Sequence, residues 1–335
     1  MVEPRKNIII KYIVNIVLYS AFMIIGTILV DGGVISEYYS KVVLLVGINI
    51  ILALSLNLAA GFLGQLPLGH AGFMAVGAYT SAIFVRRVSM DSSGAFVIGI
   101  ILGGLVAALI GFLIGIPALR LKGDYMAIIT LGFGEIIRVV IINIDDVLGF
   151  DFTYGASNMK NIPKTTTFLN CFLCVGITVV VMVNLIKSKT GRAILSVREN
   201  EIAAEACGVN VTGYKELAFT ISAFFAGVAG ALYSGYLGIL NPSAFGFSKS
   251  IDILVTVVLG GMGSMTGSVL AAVFLTVVPE LLRGLSKYRM IVYSLLLIIV
   301  MIYRPSGLMG SKEFSTGNII NRIMSRRKAV AKDDA

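Results

Sequence analysis

The sequence predicts an all-α integral membrane protein: a polytopic bundle of about ten transmembrane helices (8–10), some of them interrupted. Three observations lead to this class. Of the 335 residues, 57% are hydrophobic and only 13% are charged, which is about half the charge of a soluble domain. Apolar stretches recur along the whole chain. Glycine contributes 37 residues, an excess typical of closely packed or broken membrane helices. A soluble enzyme, a secreted disulfide module and a disordered chain are excluded.

Each predicted span approaches the roughly 20 apolar residues that cross a bilayer. The first is not a cleavable signal peptide, because its apolar core is too long. The third, eighth and ninth are the shortest. In order, the spans cover residues 8–30, 42–60, 71–85, 95–119, 125–144, 168–186, 216–240, 251–263, 268–282 and 290–303.

The distribution of basic residues predicts the orientation. An even number of spans places both termini on one side of the membrane. If that side is the cytoplasm, 17 of the 27 lysines and arginines lie inside, as the positive-inside rule requires. Arg86, Arg87 and the group at 283–289 fall outside and fit less well. We therefore expect a multi-pass protein of the plasma (bacterial inner) membrane with both termini cytoplasmic. The net charge of +9 then needs no nucleic-acid partner.

Two glycine-rich stretches, 61–72 and 259–267, interrupt the apolar pattern. The first has four glycines and Pro67 in twelve residues, so it cannot be a continuous helix. A pair of broken segments in the two halves of a chain points to a transport site, although each break is also compatible with an ordinary turn. The substrate-route residues predicted in or beside the breaks are Asn57, Gly61, Gly64, Gln65, Pro67, Gly69, His70, Gly260, Gly261 and Gly263.

Glu135 and Arg138 lie three residues apart in the fifth span, and hence on one helical face. Charges at this depth are costly, usually pair, and mark a pathway by default. They complete the predicted substrate route, with a purely structural ion pair as the alternative. His70, the one histidine, is expected to anchor the first break by a hydrogen bond. The sequence predicts neither a metal site nor a catalytic centre.

The longest predicted cytoplasmic segment, 187–215, has the pattern of a mixed polar helix with an alanine face. Glu199 and Asn200 suit its first turn, and Gly208 suits its end. Small side chains and charges of both signs are what a docking element for a soluble partner needs. A solvated connector helix is the alternative.

Five segments resemble the LivM-type permeases of branched-chain amino-acid ABC importers. Segment 201–208 (Glu-Ile-Ala-Ala-Glu-Ala-Cys-Gly) resembles the cytoplasmic motif by which such permeases contact their ATPase subunits. The others are 56–73, 122–138, 217–230 and 303–308, in the family's order. Pro67 stands where the family more often has serine. The resemblance implies ATPase docking by Arg192, Arg198, Glu199, Glu201, Ala203, Ala204 and Gly208.

The resemblance also implies the domain organisation and the partners. Residues 1–310 would form a single transmembrane permease domain with the ATPase-docking loop at about 187–215, followed by a basic cytoplasmic tail, 311–335. The partners would be a second homologous permease subunit, two ATPase subunits, an extracytoplasmic substrate-binding protein and the lipid bilayer. The sequence contains no Walker loop. We therefore expect a transport subunit, not an enzyme, that binds no cofactor itself, with ATP used by the partner subunits.

The function implied is ATP-driven import of leucine, isoleucine and valine across the plasma membrane. The alternatives are a permease of the same family for urea, short-chain amides or another amino acid, and a secondary transporter driven by a gradient, with Glu135 as its coupling site. A membrane enzyme is the weakest hypothesis, because the sequence has no nucleophile–base or metal constellation.

Overall fold

The computed structural model describes residues 5–32, 35–88, 92–121, 123–149, 152–153, 158–304 and 306–310. This part of the chain is almost entirely helical. The tail predicted at 311–335 lies outside it. The α-helices are α1 (Arg5–Asp31), α2 (Glu37–Asn57), α3 (His70–Arg87), α4 (Ser92–Ala118), α5 (Asp124–Leu148), α6 (Phe168–Lys187), α7 (Lys189–Glu199), α8 (Glu201–Ala206), α9 (Val211–Leu237), α10 (Phe247–Gly260), α11 (Met265–Leu281) and α12 (Arg289–Tyr303).

The ten predicted spans correspond in order to α1–α6 and α9–α12. Seven helical segments in the described chain are long and apolar enough to cross a membrane: those containing α2, α4, α5, α6, α9, α10 and α11. Val17–Val30 of α1 and Ile291–Tyr303 of α12 are further apolar segments, bounded by the residues whose side chains the structure describes. The predicted all-α membrane class is therefore confirmed, and ten spans is an approximate number.

The core forms where α9 meets α2, α3 and α4. Glycines allow these helices to approach backbone to backbone. A Cβ on Gly77 of α3 would lie 2.1 Å from the carbonyl oxygen of Gly227 on α9, and one on Gly230 would lie 1.9 Å from that of Met74. The most hydrophobic windows of α2 and α9 are accordingly 78% and 72% buried, whereas that of α5 is only 17% buried. Helix α5 therefore lies at the periphery.

Both ends of the described chain lie at the end of the bundle that carries α7 and α8. Helix α1 runs antiparallel to α6, because Gly26 packs on Phe168 while the Tyr19 hydroxyl donates to the carbonyl of Phe172. The N-terminal end of α1 therefore points towards the end of α6 that leads into α7. After α12, the chain returns to the end of α10, where the Leu308 N–H donates to the Leu259 carbonyl at 2.8 Å.

The two predicted breaks are confirmed. After α2 the chain makes one π-helical turn, Leu58–Phe62, and stays non-helical until α3 begins at His70. Between α10 and α11 the break is shorter, and Gly261 and Gly263 adopt φ values of +106° and +86°. Such values favour glycine because it has no Cβ.

The prediction of a single helix within 187–215 is wrong. The structure contains two, α7 and α8, with a corner at Asn200. The Asn200 side chain caps α8 by accepting the Ala203 N–H at 3.1 Å. Glu199, expected in a first turn, is instead the last residue of α7. Asparagine is a strongly preferred N-cap residue. Asn200 therefore starts α8 immediately after α7 ends.

Candidate functional site

The segment 187–215, here called the docking segment, is tied to the bundle through Glu201. Its Oε1 lies 2.5 Å from Nζ of Lys215, whose side chain is only 5% exposed. The Gln65 amide also donates to the same carboxylate at 3.5 Å. Glu201 therefore points inward and joins α8 to both α9 and the first break.

Other predicted docking residues form the outer surface of the segment. Arg192, Glu199, Ala203 and Gly208 are exposed, whereas Ala204 is buried. Gly208 has a φ of +82° and open space around the position of a Cβ. The exposed surface of α8 thus combines small residues with Ile202, which is 76% exposed, and a soluble subunit can approach it.

The two breaks meet through Asn57, which is fully buried. Its amide nitrogen donates to the Ser264 carbonyl at 2.9 Å, and its Oδ1 accepts the Gly263 N–H at 2.9 Å. A Cβ on Gly61 would lie 2.2 Å from the Gly263 nitrogen. Residues predicted separately in the two breaks therefore form one contact, at the end of the bundle that carries the docking segment.

Arg198 of α7 reaches this contact. Its Nη1 donates to the Gly61 carbonyl at 2.7 Å. We call Asn57, Gly61, Gly64, Gly263 and Arg198 the junction. The sequence assigned Arg198 to ATPase docking and the other four residues to the substrate route, and the structure brings the two groups together.

Pro67, Gly69 and His70 pack the first break into the bundle. His70 is 1% exposed, and its Nε2 is hydrogen-bonded to the Ser55 hydroxyl at 2.8 Å, so its predicted role as an anchor is confirmed. A Cβ on Gly69 would lie 2.0 Å from the Thr130 carbonyl of α5. Pro67 is buried. The break is thereby held against α2 on one side and α5 on the other.

Gly260 and Gly261 lie where the end of α10 meets two other backbones. A Cβ on Gly260 would lie 2.6 Å from the Gly267 carbonyl of α11, and one on Gly261 would lie 2.7 Å from the Gly310 carbonyl. The Met309 N–H donates to the Gly260 carbonyl at 3.3 Å. The C-terminal residues of the described chain therefore complete the second break.

The predicted ion pair on α5 forms, with Arg138 Nε 2.6 Å from Glu135 Oε2, and both side chains are partly exposed at 29% and 37%. Glu135 Oε1 also accepts the N–H of Phe247, the first residue of α10, at 3.2 Å. The 14 residues of α10 extend about 21 Å, less than the roughly 30 Å hydrocarbon core. Its C-terminal end lies at the junction, so the ion pair lies about one helix length from the junction, near the middle of the 25-residue α5.

Sequence reasoning missed two further charges, Lys249 and Asp252, in the first turns of α10. Both occur at the start of an apolar run. Their three-residue spacing places them on one face of a helix, and this was the sequence signal that could have identified them. It also missed the return of residues 306–310 to the second break, for which the sequence carries no periodic signal. Among the described residues, no cluster of three or more His, Cys, Asp or Glu side chains could hold a metal ion.

A protein-family model described as "Branched-chain amino acid transport system / permease component" matches residues 38–302. The chain belongs to this family. The resemblance seen in the sequence motifs is thereby confirmed.

Curated relatives carry the same description. The chain is 40% identical over 296 residues to the high-affinity branched-chain amino acid transport system permease protein LivM of Salmonella typhimurium, covering 78% of this chain and 68% of that protein. It is 38% identical to LivM of Escherichia coli, with the same coverage. It is 24% identical to the permease protein LivH of Salmonella typhimurium, covering 78% of this chain and 91% of that protein. No solved structure matches the chain.

Proposed function

We propose that this chain is the membrane-spanning permease subunit of an ATP-driven ABC importer that carries leucine, isoleucine and valine across the plasma membrane. Family membership supports the transport role. The single structural observation that carries the proposal is the Glu135–Arg138 pair, which is half-exposed inside a span and adjacent to the start of α10.

The surroundings of this pair suit a zwitterion with an apolar side chain. Opposite charges 2.6 Å apart provide partners for both an ammonium and a carboxylate group. Ile136, Val139 and Val140 are exposed on the same helix and offer an apolar wall. We place the middle of the substrate route here, and its inner end at the junction, where Gly61, Gly263 and their neighbours break the helices.

A second, homologous permease subunit is proposed to cover α5. This helix is the least buried of the candidate spans, and half-exposed charges facing lipid at this depth would be costly. Salmonella typhimurium has two permease proteins similar to this chain, LivM and LivH, each named as a permease protein of a high-affinity branched-chain amino acid transport system. A route between two such subunits would leave the charges of this chain facing a polar partner or water.

The remaining partners are assigned by position. We propose that one of two ATPase subunits docks on the exposed surface of α8, which places this end of the bundle and both termini in the cytoplasm. An extracytoplasmic binding protein would then deliver the amino acid at the opposite end. In this scheme the chain itself binds no cofactor, ATP is hydrolysed by the ATPase subunits, and residues 1–310 act as one permease domain.

The test is uptake by the complete complex reconstituted in proteoliposomes. We expect uptake of radiolabelled leucine that requires ATP and the binding protein, and that excess isoleucine and valine suppress while urea does not. Suppression by urea or short-chain amides alone would assign a different substrate within the family. Uptake driven by an ion gradient without ATP would instead establish a secondary transporter and overturn the proposal.

A further inference from the structure

The Arg198 side chain occupies a slot formed by three glycines from the two breaks. A Cβ on Gly64 would lie 2.7 Å from Arg198 Cγ, and one on Gly263 would lie 3.1 Å from its Nη1. Nη1 itself is 2.7 Å from the Gly61 carbonyl oxygen. A larger residue at Gly64 or Gly263 would press on the arginine, whereas a Cβ on Gly61 would lie 1.9 Å from Asn57 Oδ1. Gly64 and Gly263 therefore leave room for this guanidinium group, and Gly61 leaves room for the contact between the two breaks.

The Gly61 carbonyl has a specific need for such a donor. Gly61 lies in the π-helical turn that precedes the first break, where the chain ceases to be helical and carbonyl groups lose their intrahelical donors. π-Helical turns are rare and frequently mark functional sites. A guanidinium group supplies a charge-assisted hydrogen bond, about twice as strong as a neutral one. Arg198 thus stabilises the ending of this helix in its present position.

The second break is linked to the same point. Asn57, four residues before Gly61, holds the Gly263 N–H and the Ser264 carbonyl with its side chain. Gly61 and Gly263 are in direct backbone contact. We therefore expect a displacement of Gly61 to displace the second break as well, because the two backbones are in contact and Asn57, one helical turn before Gly61, is hydrogen-bonded to Gly263 and Ser264.

We propose that Arg198 is a positioning residue that couples the docking segment to both helix breaks, through its contact with Gly61 and Gly263. Helix α7 packs into the bundle through Ile194 and Val197, each 1% exposed. A displacement of α8 that shifts α7 would therefore displace Arg198 relative to Gly61 and Gly263. This inference rests on the proposed function, since it assigns to the docking segment the transmission of an ATPase-driven movement to the route.

The first experiment compares Arg198→Ala with Lys189→Ala in the complete reconstituted complex. Lys189 is a matched control: it is an exposed cation at the start of the same helix and is not one of the residues assigned to ATPase docking. We expect Arg198→Ala to reduce the leucine transported per ATP hydrolysed about tenfold, the size of effect given by one charge-assisted hydrogen bond, while ATPase subunits still co-purify. Lys189→Ala should leave this ratio unchanged. Equal ratios in the two variants would overturn the proposal.

Two further variants separate coupling from folding. Arg198→Lys retains the charge but has no planar fork, and we expect an intermediate ratio. Gly64→Ala keeps the arginine and presses on it, so it should lower the ratio even if Arg198→Ala fails to assemble. An unchanged ratio in Gly64→Ala, with Arg198→Ala unable to assemble, would show a purely structural role and reject the coupling.

A readout that needs no substrate distinguishes this inference from the proposed function. Met262, in the second break, is exposed. After replacement of the native cysteines, Met262→Cys should react with a maleimide at different rates in the nucleotide-free complex and in the complex trapped with ATP and vanadate. Arg198→Ala should abolish that difference. If the rates differ although leucine is not transported, only the substrate assignment fails. If the rates are identical without the Arg198 substitution, the junction does not move and the coupling is refuted.

Discussion

Lys215 of α9 and Glu201 of α8 form an ion pair of 2.5 Å in which the lysine is almost completely buried. This pair fixes the first residue of α8 to Lys215, the fifth residue of α9. The glutamate of the docking motif therefore faces the bundle, whereas Ala203, Ala206 and Gly208, which follow it, are exposed. The docking surface depends on Glu201 for its position.

Glu201→Gln should weaken the docking segment, because it leaves the Lys215 cation buried without its carboxylate. Removing one partner of a fully buried pair costs about 3–5 kcal/mol. Since the glutamate is 28% exposed, we expect a smaller loss of about 1–3 kcal/mol. The measurements are the thermal stability of the complex in detergent and co-purification of the ATPase subunits, and both should fall.

The exposed Glu205 on the same helix provides the control for stability, and Glu205→Gln should leave the thermal stability unchanged. Combining Glu201→Gln with Lys215→Met removes the orphaned charge and should restore part of the stability. Stability and co-purification equal to those of the unmodified protein in Glu201→Gln would refute the anchoring role.

Gly208→Asp should abolish uptake while membrane insertion persists. The position is exposed, has open space around it and adopts a φ of +82°, so the substitution meets nothing within the chain. Gly208→Ala isolates the backbone strain, about 1 kcal/mol, and should retain uptake. Normal uptake and unchanged ATPase co-purification in Gly208→Asp would contradict a docking surface at this point.

Gly69→Val should stop uptake, and the structure identifies the cause as a collision with α5. The added Cβ would lie 2.0 Å from the Thr130 carbonyl, and overpacking of this kind costs about 1–3 kcal/mol. Complex assembly and basal ATP hydrolysis should remain measurable. Gly94→Val in the first turn of α4, where no atom lies within 4 Å of the added Cβ, is the control and should transport normally. Normal uptake in Gly69→Val would mean that the first break is a plain turn.

Glu135→Gln should lower ATP-dependent uptake at least about tenfold, because it leaves Arg138 as an unpaired charge inside a span. The matched control is Glu37→Gln, which removes the carboxylate of another helical pair, 2.6 Å from Lys41, where the glutamate is 84% exposed. That control should be neutral, as exposed pairs contribute little. Loss of the assembled complex in Glu135→Gln, in place of lost uptake by an intact one, would favour a structural ion pair over a route.

The proposed orientation is tested by thiol labelling in whole cells. Lys160→Cys should react with an impermeant maleimide, and Ala203→Cys should react only after permeabilisation. Both residues are exposed, and the exposed native Cys207 must first be replaced. The sequence alone suggests Ser157 and Ser196 as the two positions for an introduced cysteine, but Ser157 lies outside the described residues. The reverse labelling pattern would invert the assignment of the two ends.

The breaks and the helices were predictable because they depend on local chemistry. Apolar length, Pro67 and clustered glycines determine where a membrane helix can continue. The histidine anchor was predictable because a buried imidazole needs a hydrogen-bond partner. The spacing of Glu135 and Arg138 was sufficient to place both on one face, and the ion pair on α5 is present.

The contact between the predicted docking residue Arg198 and the predicted route residues Gly61 and Gly263 could not be predicted, because it depends on packing between segments that lie far apart in the chain. Arg198 and Gly61 are separated by 137 positions, and no periodic pattern relates them. The division of the docking segment into α7 and α8 depends on Asn200, which in a sequence fits a first turn as well as a corner. Only its bond with the Ala203 N–H distinguishes the two.

The closing of the second break by residues 306–310 also bears on biosynthesis. Leu308 and Met309 donate to the carbonyls of Leu259 and Gly260, so the end of α10 acquires its last hydrogen-bond donors only after all ten helices that match the predicted spans have been synthesised. A ribosome-bound chain that has reached α12 still lacks them. This end of the bundle is therefore completed only after residues 308 and 309 have been added, and a nascent chain that stops at residue 305 should be inserted but more accessible to membrane proteases.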